Sequence, residues 1–210
     1  MNTTKRKVMN MKRIISLTLA IIAIFAFCAC SADDDSWLPV GMQLASTDAV
    51  DYKLYVPSSW TVDVSTGIIS AYVSDIDRSN VTVTAFNLSN DNSTMTVSEY
   101  WNDYEALLKS TFPDMTYVQP TVLDSDGNVI ESAPSEDEMA GNPSTTILDG
   151  VAANKYYYTA TVTGDAIQYM QLVAVRGGVA YIITYTATPS NFATHIADVE
   201  AIISNFKFKA

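Results

Sequence analysis

Between Val50 and Lys209 the apolar residues recur at two spacings, and the switches between them mark out the elements. Tyr52, Leu54 and Val56 alternate with Lys53 and Tyr55, which predicts a strand with the first three on one face, stopped by Pro57. Trp60–Val64 and Ile68–Val73 follow around Gly67. Val81–Leu88 then sets Val81, Val83 and Ala85 against Thr82, Thr84 and Phe86. Further strands are predicted at Thr116–Leu123, Ser144–Leu148, Ala153–Thr163, Ile167–Arg176 and Val179–Ala187, the last two joined by a Gly177-Gly178 hairpin signal.

Two segments change to a helical period. Val97, Trp101, Tyr104 and Leu108 fall at i, i+4, i+7 and i+11, behind Thr96 with Glu99 three places on, a capping-box pattern, and the run ends before Pro113. Phe192, Ile196, Val199, Ile203 and Phe206 repeat the stripe behind Thr188-Pro189, a cap followed by proline at the first helical position. Each stripe lies on one side, so both helices are expected against a sheet. The predicted class is α+β, an antiparallel sheet of about six to seven strands flanked by helices. Residues 124–143 depart from the pattern: Asp124-Ser-Asp-Gly-Asn128 reads as a turn, and the acidic ESAPSEDEMAGNP stretch as a mobile insertion.

The N-terminal end has another character. In Met11–Cys30, MKRIISLTLAIIAIFAFCAC, Lys12 and Arg13 precede an apolar run too short to span a bilayer comfortably, and Ala29 is the small residue needed before a cleavage site. This resembles the export signal of bacterial lipoproteins. Residues 1–29 are then a signal peptide and Cys30 the lipidated residue, since Phe27 is too large to precede a processed Cys28. Residues 30–48 read as an acidic tether and 49–209 as the folded domain. Asp33, Asp34 and Asp35 in the tether read as a solvated leash rather than a cation cage.

Charge changes what the chain is expected to bind. All 23 acidic residues follow Cys30 but only seven basic ones do, a net of −16 for the processed chain. Such a surface is repelled by nucleic acid and by anionic headgroups, so attachment to the membrane is expected through the lipid on Cys30. No cysteine follows Cys30, which excludes disulfides and cysteine-based zinc sites from the domain.

Candidate chemistry is sparse. His195, the one histidine, sits one position off the apolar stripe of the terminal helix, where a half-exposed structural role is expected. No G-x-S-x-G elbow surrounds a serine, and Ser58-Ser59 read as turn residues. Asp75 and Asp77 would share a face if their strand persisted, as a carboxylate pair or cation site requires; a turn running into Arg78 and Ser79 is the plainer reading. Asp124 and Asp126 open like an EF-hand, but glycine falls at the fourth position and no glutamate closes the frame. Of Tyr156-Tyr157-Tyr158, the outer two are expected inward with Ala160 and Val162. Tyr157 is expected outward, a binding surface if Tyr55 or Tyr72 joins it. No catalytic, cofactor or metal residue is assigned.

The order YKLYVPSSW, a strand pair, VSEYWNDYEALLKSTFPDMTYV, a late hairpin around RGG and a closing IISNFKF resembles the PsbP-like fold over nearly all of Val50–Phe208. That fold is shared by the extrinsic photosystem II subunit, a nuclear-import factor that binds the Ran GTPase, and many small bacterial lipoproteins. The resemblance implies an αβα sandwich and binding or assembly rather than turnover; the photosynthetic members' metal ligands have no counterpart here. The expected function is a lipid-anchored accessory or binding protein on the outer face of the cytoplasmic membrane, with an envelope protein or peptide as partner and no enzymatic activity. Two other readings stand beside it: a small-ligand or divalent-cation binder in which acidic groups near Asp75, Asp77 or the Asp124 turn converge, and a hydrolase with an unrecognised site.

Overall fold

A computed structural model describes residues 38–65, 68–89, 92–120, 122–124, 126, 128–130 and 142–209. Residues 1–29, read above as a signal peptide, Cys30, Asp33–Asp35 and most of the 124–143 stretch lie outside the described residues. Strands β1 (Met42–Leu44), β2 (Tyr52–Lys53), β3 (Tyr55–Pro57), β4 (Thr61–Asp63), β5 (Ile69–Tyr72) and β6 (Asn80–Asn87) lead into helix α1 (Val97–Thr111). Then come β7 (Thr116–Tyr117), β8 (Val122–Leu123), β9 (Val129–Ile130), β10 (Ser144–Leu148), β11 (Val151–Val162), β12 (Asp165–Arg176) and β13 (Val179–Ala187), followed by helix α2 (Pro189–Asn205) and β14 (Lys207–Phe208).

The main sheet is antiparallel in the order β10-β11-β12-β13-β6-β5-β4. β7 is its eighth strand, yet the sheet is seven positions wide. β10 takes the Val151–Lys155 half of one β11 edge, and β7 takes Tyr158 and Thr159 further along that edge. Three two-stranded ladders, β1-β3, β2-β14 and β8-β9, lie beside it.

Both helices form where the spacing predicts, and each covers a different face. α1 opens on a complete capping box: Thr96 Oγ1 accepts the Glu99 N–H at 3.2 Å, and Glu99 Oε2 accepts the Thr96 N–H at 2.8 Å. It presses Trp101 and Leu108 onto Tyr156, Tyr158, Val173 and Ile182. α2 has its proline at the start, and Thr188 makes no capping bond through its side chain. It drives Phe192, Ile196, Val199, Ile202 and Ile203 into the larger core with Leu54, Val56, Leu172, Ile183 and Tyr185. Each of these fully buried side chains contributes roughly 1.5–3 kcal/mol of transfer free energy, and the three-layer arrangement gives both sheet faces that return. Among the described residues no helix is long and apolar enough to cross a membrane.

Four sequence expectations are corrected. Thr116–Leu123 is not one strand: β7 joins β11 in the main sheet, and β8 pairs with β9 in a separate ladder. Tyr52–Val56 is not one strand: the chain changes partner at Leu54, β2 pairing with β14 and β3 with β1, and Tyr55 is buried rather than outward. The fold also starts before residue 49. Met42–Leu44, placed by composition in the tether, pairs with Pro57–Tyr55, and Gln43 Nε2 donates to the Trp60 carbonyl at 2.6 Å. A three-residue strand is too short to show a period. Tyr157, expected outward, is only 6% exposed and meets Phe192 with ring centroids 6.4 Å apart, because α2 covers the face it points to.

Candidate functional site

The helical spacing that buries Phe192 and Ile196 leaves His195 at the flank of α2, facing the turn after β5. β5 ends at Tyr72, and the next residues fold back on themselves: the Ser74 N–H donates to the Asp77 carbonyl at 3.0 Å and the Asp77 N–H to Ser74 Oγ at 3.0 Å. This aims the Asp77 side chain at α2. His195 Nε2 lies 2.8 Å from Asp77 Oδ2, while Asp77 Oδ1 accepts the Ser79 N–H at 3.0 Å. The imidazole is 15% exposed, and Trp60 packs edge-on against it with centroids 6.2 Å apart.

The electrostatics follow from that geometry. Burial alone raises the Asp77 carboxyl, but hydrogen bonds from Ser79, His195 and Asn191 outweigh it and hold the group well below the usual carboxylate range. Beneath the pair, burial first and then the charges of Asp77 and Asp198 push the Tyr185 hydroxyl up, and it stays protonated and donates to the Phe192 carbonyl at 2.9 Å.

A carboxylate that orients an imidazole is half of a nucleophilic triad. The other half would place a hydroxyl or thiol on the second ring nitrogen. Here Nδ1 faces a second carboxylate instead, Asp198 Oδ2 at 3.9 Å. What this arrangement does chemically is lock a turn to a helix.

The other candidates disperse. Asp75 points into solvent beside Arg78 at 3.6 Å, away from Asp77, so the two form a turn and not a paired carboxylate site. Asp124 turns inward on its own loop, where Oδ1 accepts the N–H groups of Asp126 at 2.9 Å and Asn128 at 2.8 Å. Tyr156 lies flat against Trp101, centroids 3.6 Å apart and planes 5° apart, and Tyr158 stacks on Tyr169 at 4.9 Å. With Tyr55 and Tyr157 buried and Tyr72 under the Arg78 guanidinium, the envisaged aromatic face is not built. An open hollow of about 460 Å³ lies beside the start of α1, lined by Asn92, Thr94, Met95, Glu99, Asn102 and Asp103. Its Glu99 is already spent on the cap. Among the described residues no group of three or more His, Cys, Asp or Glu converges to hold a metal ion.

Two contacts escaped the sequence reading. Lys155 reaches across from β11 to both carboxylate oxygens of Glu200 at 2.6 Å, and the Tyr181 hydroxyl donates to Asp51. Both join residues far apart in the chain, where no local spacing carries a signal.

A family model described as PsbP-like protein matches residues 43–208. No curated protein matches. Among solved structures, the cyanobacterial PsbP protein CyanoP of Synechocystis sp. PCC 6803 is 13% identical over 86% of this chain and 98% of its own, with a TM-score of 0.54. A Bacteroides thetaiotaomicron protein is 10% identical over 76% of this chain at a TM-score of 0.47, and this chain spans 46% of that protein's length. LpqN of Mycobacterium tuberculosis, described as involved in cell envelope biogenesis, is 10% identical over 76% of this chain and 83% of its own, with a TM-score of 0.45.

Proposed function

This chain belongs to the PsbP-like protein family, and from that membership we propose that it is a non-enzymatic accessory protein of the bacterial cell envelope. In this reading it is tied by a lipid on Cys30 to the outer face of the cytoplasmic membrane and binds an envelope protein or peptide. Its export signal supports the anchor: a basic start, a short apolar run and Ala29 before Cys30. The observation that carries the binding role is the commitment of His195. The chain's one imidazole is held between Asp77 and Asp198, and both faces of the sheet are spent on packing helices, so what the domain offers a partner is its outer surface. The cation-binding alternative draws no support from Asp75 and Asp77, which diverge.

Chemical crosslinking in intact cells followed by affinity capture tests this, with wild type, His195→Gln and Cys30→Ala compared. His195→Gln is expected to retain the wild-type crosslinked species and Cys30→Ala to lose them. Loss in a His195→Gln protein whose thermal midpoint is unchanged would contradict the assignment.

A further inference from the structure

The main sheet ends on two edge strands, β4 and β10, and they are built differently. An edge strand presents unpaired backbone N–H and C=O groups, and proteins blunt such an edge with a charge, a proline or a covering element. β4 is three residues long and carries the exposed Asp63. β10, Ser-Thr-Thr-Ile-Leu, has five residues and holds neither charge nor proline.

The turn after β10 sets which of its groups face outward. Asp149 and Gly150, at φ 43° and 81°, join it to β11 in a two-residue loop, which makes Leu148 and Val151 a hydrogen-bonded pair. Bonded pairs alternate with unbonded ones in an antiparallel ladder, so Thr146 bonds to Ala153 and Ser144 to Lys155. Thr145 and Ile147 therefore direct N–H and C=O away from β11. Among the described residues those backbone groups meet no hydrogen-bond partner. The side chains alternate too: Leu148 is fully buried in the core under α2, whereas Ile147, on the other face, is 66% exposed beside Ala152, itself exposed.

The geometry points to β10 as the docking edge for an extended peptide segment of an envelope protein, which joins the main sheet as a further strand. Such docking rests on the accessory-binding reading above and gives it a place. The incoming strand supplies a partner for each outward group of Thr145 and Ile147 and sets an apolar side chain beside Ile147. A second copy of this chain fits the edge less well. Two bodies of net charge −11 repel, and a strand of five residues offers little of the ~1,000 Å² that a specific interface between folded proteins buries. A peptide needs no such area, because its affinity comes from the main-chain bonds.

Hydrogen exchange on the purified full chain tests this, with and without a capped peptide of alternating valine and threonine ended by lysines. Crosslinking in intact cells tests it with the native partner. The peptide is expected to slow exchange at the Thr145 and Ile147 amides about tenfold and to leave those of β4 unchanged. Thr145→Pro removes an outward donor without taking a bond from the β10-β11 ladder, and Ile147→Lys puts a charge on an edge that has none. Each is expected to abolish the protection and the crosslinked species at an unchanged thermal midpoint. Slow exchange at both amides in the free monomer, or no protection by the peptide, overturns the docking edge. Protection that grows with protein concentration alone assigns the edge to a second copy and overturns the peptide assignment. Crosslinked species retained in both variants overturn β10 as the site and leave the envelope-binding reading standing. A wild-type chain that yields no crosslinked species removes that reading, while the exchange rates still decide whether β10 accepts a strand.

Discussion

His195 Nε2 and Asp77 Oδ2 stand 2.8 Å apart although they lie 118 positions apart in the chain, and the contact fastens α2 to the turn after β5. Since the Asp77 carboxyl is depressed in the fold, its contribution to stability is present in full above the ordinary carboxylate value of about 3.9 and is lost as pH falls through the lower folded value. Asp77→Asn is expected to cost about 1–3 kcal/mol at pH 7. It should also flatten the fall in stability below pH ~4. Urea midpoints of both proteins at neutral and acid pH check the sign. An equal acid dependence in the two would show that Asp77 is not the group responsible.

The two helix starts should respond differently to the same substitution. Thr96 closes a capping box and Thr188 makes no capping bond through its side chain. Thr96→Ala is expected to lower stability by about 1 kcal/mol, and Thr188→Ala by a few tenths at most. Equilibrium denaturation of the pair measures the difference.

Strain gives a prediction of the opposite sign. Thr163 sits in the left-handed region at φ 52°, which a β-branched residue adopts at a cost, in the turn that joins β11 to β12. Thr163→Gly should therefore stabilise by roughly 0.5–1 kcal/mol, whereas Gly150→Ala, at φ 81°, should destabilise by about 1–2 kcal/mol. Thermal midpoints moving the same way in both variants would show that the turn conformations are wrong.

On the α1 face Trp101 stacks flat on Tyr156, and Trp101→Ala is expected to cost about 3–5 kcal/mol and to weaken the near-ultraviolet circular dichroism of the aromatic cluster. A loss under 1 kcal/mol would mean that α1 does not seal the sheet.

Much of this fold is legible in the chain, and the failures have physical causes. β10 and β13 fall on their expected residues, and both helices start at their caps, because long amphipathic runs carry their period with them. β1, β2 and β14 have two or three residues each, too few to show one. The Asp149-Gly150 turn between β10 and β11 is a hairpin dipeptide, with both residues at positive φ. Alternation put Tyr156 and Tyr158 on one face and Tyr157 on the other, but it does not tell that both faces are covered. The approach of His195 to Asp77 is visible only in three dimensions. Each residue is unremarkable within its own segment, and their meeting depends on where α2 lands on the sheet.

The proposed envelope role depends on Cys30 as the point of attachment. Mass spectrometry of the mature N-terminus from the membrane fraction, in wild type and Cys30→Ala, tests it most directly. The expected result is a chain that begins at Cys30 and carries a diacylglyceryl group, with the substituted chain unlipidated. A membrane-bound chain that keeps residues 1–29, or a lipid that survives Cys30→Ala, would contradict it.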